Sequence, residues 1–191
     1  MSTIYTLNSK VLKNIANDKW LIKKAVPTDE VQIGNQIWKS KNLAIDDGQG
    51  GIYTQTVNYG QGDVVEYYYT WEAALRVAAS IPGWHLPTST EWDTLATTIG
   101  TYYTAGTKLK SIFGWKNNGN GTDDYGFAAF PAGYAAWNYF YDLSEHGWFW
   151  TSTQAASTSR ANYRRFNYSD AYMTRNNEDK TYGLSVRLIK D

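Results

Sequence analysis

The strongest periodicity along the chain is helical, and it occurs twice. Trp71, Ala74, Leu75 and Ala78 recur at i, i+3, i+4 and i+7, with Thr70 ahead of them and Pro82-Gly83 behind. That spacing predicts a helix with one apolar stripe, ended where the chain can no longer supply a backbone donor. The second stripe is cleaner. Thr88 can cap, Glu91 three residues on completes a capping box, Trp92, Leu95, Ala96 and Ile99 form the apolar face, and Gly100 stands where a left-handed cap belongs. Both stripes read as core.

The rest of the pattern is strand-like. Val31, Ile33, Ile37 and Trp38 flank Gly34-Asn35 and predict a hairpin. Residues 46–62 are Gly-rich and polar and predict a surface loop. It is not a phosphate cradle, because no Gly-Lys-Ser/Thr follows. Beyond residue 100 short aromatic runs alternate with Gly, Asn and Asp, as in Trp148-Phe149-Trp150 and Tyr163 to Phe166. Leu184, Val186 and Leu188 alternate with Ser185, Arg187 and Ile189, which predicts a half-buried strand closing the domain. Two helices followed by many short antiparallel strands give an α+β class.

At the N-terminus, Tyr5 and Leu7, Val11-Leu12 and Trp20-Leu21-Ile22 predict short strands of an element too small to be stable alone. Pro27-Thr28-Asp29 is the best boundary. The expected organisation is an attachment or oligomerisation element over residues 1–26 and a main domain over 27–191. The alternative, that these are the first strands of one continuous sheet, stays open on length.

Composition narrows the function. Of 191 residues, 18 are Lys or Arg and 18 are Asp or Glu, so the net charge is zero, which argues against a nucleic-acid partner or an anionic membrane surface. The absence of Cys removes disulfides, thiolate metal sites and a thiol nucleophile. No run approaches the roughly 18 apolar residues of a membrane span, and Met1 to Trp20 mixes Asn, Lys and Asp through its apolar residues, unlike a secretory signal.

Catalytic chemistry has little to stand on. The histidines are His85, in the turn before the second helix, and His146, in a turn by composition. No G-x-S-x-G, H-E-x-x-H or P-loop occurs, and the adjacent acids Asp46-Asp47 and Asp123-Asp124 diverge in extended chain. The reading is therefore not an enzyme. Asn117 to Asp124 is oxygen-rich enough for Ca²⁺, but the position of the closing Glu of an EF-hand is Ala129, so an Asx-turn loop and no cofactor are expected.

The suggestive feature is a Tyr/Asn/Arg-rich C-terminal region. Trp137, Asn138, Tyr139 and Tyr141 are followed by Arg160, Asn162, Arg164, Tyr168, Asp170, Tyr172, Arg175 and Asn176. Tyr and Trp give large contact area at low entropic cost, Arg favours hot spots, and Asn and Asp adapt their hydrogen bonds. These twelve residues are expected to form one ligand-binding face.

Five segments in order carry a resemblance. They are Val31 to Trp38 with Lys41-Asn42-Leu43; Gly83-Trp84-His85-Leu86-Pro87-Thr88 with Glu91-Trp92 and Leu95; Gly126 to Tyr134; Trp150-Thr151-Ser152-Thr153; and Tyr182 to Arg187. Together they resemble the Fibrobacter succinogenes major paralogous domain family, found in Bacteroidetes and their phages. The family looks like part of the C-type-lectin-like superfamily, alongside formylglycine-generating enzymes and the variable proteins of diversity-generating retroelements. The resemblance implies a compact domain with two helices, a β core and a long loop region presenting a ligand. The enzymatic relatives need a cysteine pair that this chain lacks, and the Glu-Pro-Asn and Gln-Pro-Asp calcium motifs of sugar-binding lectins are missing. Arg160 to Asn176 is similar to the substituted surface of the variable proteins. The expectation is a surface-exposed recognition or adhesion domain, on a virion fibre or otherwise extracellular, that binds a host-surface protein or glycan. Residues 1–26 would contact a virion partner or further copies of the chain. A structural assembly subunit and a diversified binding protein are the alternatives.

Overall fold

The computed structural model describes residues 12–13, 20–21 and 29–191. Strands β1 (Leu12–Lys13) and β2 (Trp20–Leu21) pair antiparallel, with Leu12 opposite Leu21. The remainder of the expected N-terminal element, Tyr5, Leu7 and Pro27-Thr28 included, lies outside the described residues.

In the main body, β3 (Glu30–Ile33) and β4 (Gln36–Lys39) form the hairpin expected around Gly34-Asn35. β5 (Ile52–Asn58) and β6 (Asp63–Tyr69) form a two-stranded ribbon. This corrects the loop expected over 46–62. Its glycines flank the ribbon, while Ile52-Tyr53-Thr54-Gln55-Thr56-Val57 has β-branched and aromatic residues that pleat well.

α1 (Trp71–Ala79) and α2 (Ser89–Ile99) stand where their stripes place them, with β7 (Trp84–His85) between. Thr88 accepts from the Glu91 N–H and Glu91 reaches back, so the capping box is complete. A third helix, α3 (Tyr102–Leu109), breaks the expectation that everything after residue 100 is β. Tyr102, Ala105, Gly106 and Leu109 carry the helical spacing, but Gly and Thr weaken the propensity. Tertiary contact requires that glycine, since a Cβ on Gly106 would lie 2.5 Å from the Tyr172 carbonyl oxygen.

After a short 3-10 turn at Lys116–Asn118 come β8 (Tyr134–Ala136), β9 (Tyr139–Tyr141), β10 (His146–Gln154), β11 (Arg160–Asn167), β12 (Met173–Asp179) and β13 (Ile189–Lys190). The antiparallel sheet β10-β11-β12 lies beside a four-stranded sheet in the order β3-β4-β13-β7, and β8-β9 forms another ribbon. The chain is thus mixed α+β, with three α-helices and several small antiparallel sheets among the described residues.

β10 separates two cores by simple alternation. Trp148 and Trp150 enter one with Trp71, Tyr163, Leu184 and Val186; Phe149 enters the other with Trp38, Trp92, Phe127 and Phe166. The second is an aromatic stack, with Trp38 and Trp92 centroids 4.9 Å apart and Phe127 at 5.7 and 5.8 Å from them. Two of the buried indoles find partners: Trp150 Nε1 donates to the Tyr69 carbonyl at 2.7 Å and Trp71 Nε1 to that of Thr151 at 2.8 Å.

The closing segment is also corrected. Leu184 to Ile189 is buried on both sides, and regular pairing is confined to Ile189–Lys190. Ser185 and Arg187 are both buried, and Arg187 points inward to polar partners. The Arg187 guanidinium donates to Asn42 Oδ1 at 2.8 Å, to the Lys39 and Ala128 carbonyls at 3.1 and 3.2 Å, and to that of Phe127. Asn42 and Tyr59 in turn donate to Glu66, at 3.3 and 3.1 Å. Burial pushes the Glu66 carboxyl above the usual range, against those two hydrogen bonds. No described helix is long and apolar enough to cross a membrane.

Candidate functional site

The alternation of β11 decides which of the expected contact residues can meet. Asn162 and Arg164 point toward α2, while Tyr163 and Arg165 point to the opposite side of the sheet, among Trp148 and its neighbours. Cross-strand register places Asn177 opposite Asn162 and Arg175 opposite Arg164. On the facing helix, Ser89 and Asp93 are four residues apart and so share one side.

A groove of about 360 Å³ results, lined by Ser89, Asp93, Asn162, Arg164, Arg175, Asn176 and Asn177. Asn162 Nδ2 donates to Ser89 Oγ at 3.3 Å. Arg164 donates to the Ser89 carbonyl at 2.8 Å and to Asp93 Oδ1 at 2.6 Å; Arg175 reaches the other oxygen, Oδ2, at 3.3 Å. Burial works to raise the Asp93 carboxyl, but the Tyr102 hydroxyl and the two guanidiniums outweigh it and hold it below the usual carboxylate range. Tyr102 responds in the opposite sense, pushed up to about 12 by burial and by Asp93.

A second groove of about 260 Å³ adjoins the first through Arg175, lined also by Tyr102, Tyr103, Tyr172, Met173 and Thr174. The Arg175 guanidinium lies 3.8 Å from the Tyr102 ring centroid. Beyond it Tyr103 and Tyr172, 69 % and 44 % exposed, meet edge to face at 5.4 Å. The two grooves form one open surface with amides at one end and tyrosines at the other.

The expectation of a single face holding all twelve residues is therefore corrected. Asn162, Arg175, Asn176 and Tyr172 line the joined grooves. Arg164 lies beneath them, its side chain 2 % exposed, and it positions Asp93 without being open to contact. Arg160 is exposed at the start of β11 and reaches Asn177 Oδ1 at 3.3 Å and Glu178 at 3.6 Å. Tyr168 is half-buried against the second core, and Asp170 accepts from the Tyr172 N–H at 2.8 Å within its own turn.

Trp137, Asn138, Tyr139 and Tyr141 stand apart on the β8-β9 hairpin. Its two turn residues, Trp137 and Asn138, have φ of 49° and 64°, the left-handed pair of a tight hairpin turn. Trp137 and Tyr139 are 70 % and 67 % exposed. Trp137 abuts Tyr182 and Tyr141 edge-on at 5.3 and 6.4 Å, and Tyr134 stacks between those two rings. This cluster belongs to the Trp148 side of the sheet.

Ser89, Asp93, Tyr102, Tyr103 and Asn177 are not prefigured in the chain's pattern. Each reads as an ordinary exposed position, and only the crossing of α2 and α3 over β11 and β12 joins them. The oxygen-rich loop from Asn117 to Asp124 uses its side chains internally: Asn120 Oδ1 accepts from the Trp115 N–H at 3.1 Å and Asp123 Oδ1 from that of Ala128 at 2.7 Å. Asp142, Glu145 and His146 bring ligand-type atoms within 4.8 Å of one another. Glu145 is bonded to Lys116 at 2.6 Å, and His146 Nδ1 lies 3.0 Å from Asp142. His85 is a structural joint, with Nδ1 at 2.7 Å from Asp191 and Nε2 at 2.9 Å from Glu91.

The segments that carry the resemblance fall on the frame. Trp38, Asn42, Phe127 and Arg187 meet in and around the second core, and His85 ties α2 to the residues beside β13. A model of the Fibrobacter succinogenes major domain matches residues 31–190. No curated protein and no solved structure matches the chain. With nearly the whole described body covered by that one match, the chain belongs to the Fibrobacter succinogenes major domain family.

Proposed function

We propose that this domain is a non-catalytic recognition module of C-type-lectin-like build, and that it binds a protein or glycan through the joined groove between α2, α3 and β12. The observation that carries the reading is the division of labour on β11 and β12. Phe166 and Met173 hold the core and Arg164 fixes Asp93, while Asn162, Arg175, Asn176 and Asn177 line an open groove. Such positions can change without cost to the fold, which supports kinship with the retroelement variable proteins. The capped α2 and the short antiparallel strands support the lectin-like build.

Asp93 is poorly suited to acid or base work. Both its oxygens face guanidiniums and its carboxyl is held ionised, so it neither delivers nor accepts a proton near neutral pH. Positioned on a virion fibre or another exposed surface, the module would work by contact. Residues 1–26 would serve attachment.

Retention of the purified chain on host cells, and on their separated polysaccharide and protein fractions, tests this. Replacing Arg175, Asn176 and Tyr172 together with Ala is expected to abolish retention. Equal retention of variant and wild type overturns the assigned groove. A second reading, a structural assembly subunit, draws on the exposed Trp137 and Tyr139. It expects a stable oligomer that dissociates when both become Ser.

A further inference from the structure

Resting on the recognition reading, we infer that the groove takes an acidic saccharide, a sugar chain bearing carboxylates, with Arg175 as the carboxylate partner. The lining residues include two guanidiniums and one carboxylate, which leaves one positive charge in excess. The two arginines do not share Asp93 equally. Arg164, buried, holds Oδ1 at 2.6 Å, whereas Arg175 touches Oδ2 at 3.3 Å with its side chain 53 % exposed. The excess charge therefore resides on Arg175.

Arg175 is also preorganised. Its guanidinium lies 3.8 Å from the Tyr102 ring centroid, which holds the planar fork in place against a rigid helix. Little side-chain freedom remains to be lost when a carboxylate docks.

The neighbouring amides are oriented as donors. Asn176 commits its side-chain oxygen to the Asn177 backbone N–H at 2.8 Å, and Asn177 commits its own to Arg160 at 3.3 Å. That leaves the NH₂ group of each available as a donor. A rim made of guanidinium and amide N–H groups fits a ligand rich in acceptors and carrying negative charge. On the other side of Arg175, the Tyr103 and Tyr172 rings form an exposed ledge suited to the apolar face of a pyranose.

An acidic peptide shares the charge but not the rest. A peptide gains most from an anchor side chain seated in an apolar pocket, and the lining between Ser89 and Asn177 consists of polar side chains.

The test is calorimetric titration of the full chain with three short oligouronates (galacturonate, glucuronate and mannuronate), the methyl esters of the same oligomers, and a glutamate-rich peptide. At least one oligouronate is expected to bind about ten-fold more tightly than its ester, the loss of one charge-assisted pair. Arg175→Gln is expected to remove that margin, bringing the acid down to the affinity of its ester. Tyr103→Ala is expected to weaken acid and ester alike. Equal affinity for acid and ester overturns the inference and leaves the recognition reading standing. Tighter binding of the peptide overturns it in favour of a protein partner. Binding of none of the oligouronates also overturns it, and the recognition reading is then judged by retention on cells and their fractions.

Discussion

Arg164 and Arg175 face the same carboxylate and differ in almost everything else. Arg164 is enclosed, and its removal leaves the Ser89 carbonyl and half of Asp93 without a donor. Arg164→Ala is expected to cost about 2 kcal/mol in urea unfolding, below the 3–5 kcal/mol of a fully buried pair because Asp93 keeps some water. Arg175→Ala is expected to cost less than about 1 kcal/mol, as exposed pairs do. Histidine supplies a second residue-scale expectation. Burial disfavours charge on His85, but Asp191 and Glu91 outweigh it and raise its pKa above 6.5. The stability it contributes is complete below that ordinary value and is lost as pH rises through the raised folded value. Glu91 moves oppositely: burial raises it, but Thr88 and His85 prevail and lower it below 4.5, so its contribution is lost only on acidification. Urea midpoints are expected to fall as pH is raised above 6.5, and His85→Gln is expected to flatten that decline.

At the scale of elements, the local signals that succeeded were those completed within a few residues. Thr88 and Glu91 specify the start of α2 by themselves, and Gly34-Asn35 specifies its hairpin. The failures share one cause, which is that a distant contact decides the outcome. Gly106 reads as a helix breaker until the Ala171–Tyr172 backbone is seen against it, and Arg187 reads as part of a solvent face until its buried partners are in place. The groove was legible in part. Asn162, Arg175, Asn176 and Tyr172 stood out by type, but α2 covers Arg164, and Trp137 and Tyr139 stand apart on the β8-β9 ribbon. That hairpin depends on Gly133, with φ of +70°, where a Cβ would lie 1.9 Å from the Tyr141 carbonyl oxygen. Gly133→Ala is expected to cost at least about 2 kcal/mol and to alter the near-ultraviolet signal of the tyrosines stacked there.

For the molecule as a whole, β10 is the shared wall of both cores. Neither core can open without freeing the strand that closes the other, so unfolding is expected to be a single transition, with tryptophan fluorescence and far-ultraviolet circular dichroism superimposing. Separate midpoints would show two independent units. The outermost strand of the same sheet has a different consequence. β12 pairs with β11 alone among the described strands, and its sequence, Met173-Thr174-Arg175-Asn176-Asn177-Glu178-Asp179, crowds polar and ionised groups along an open rim. Bare strand rims recruit other strands and grow into fibrils, and charge is a natural deterrent. The residues that would greet a ligand thus also keep neighbouring molecules from zipping together. A lineage that retunes this surface is bound to retain ionised or amide side chains there, and libraries that fill it with valine or isoleucine would lose protein to precipitation before affinity could be measured.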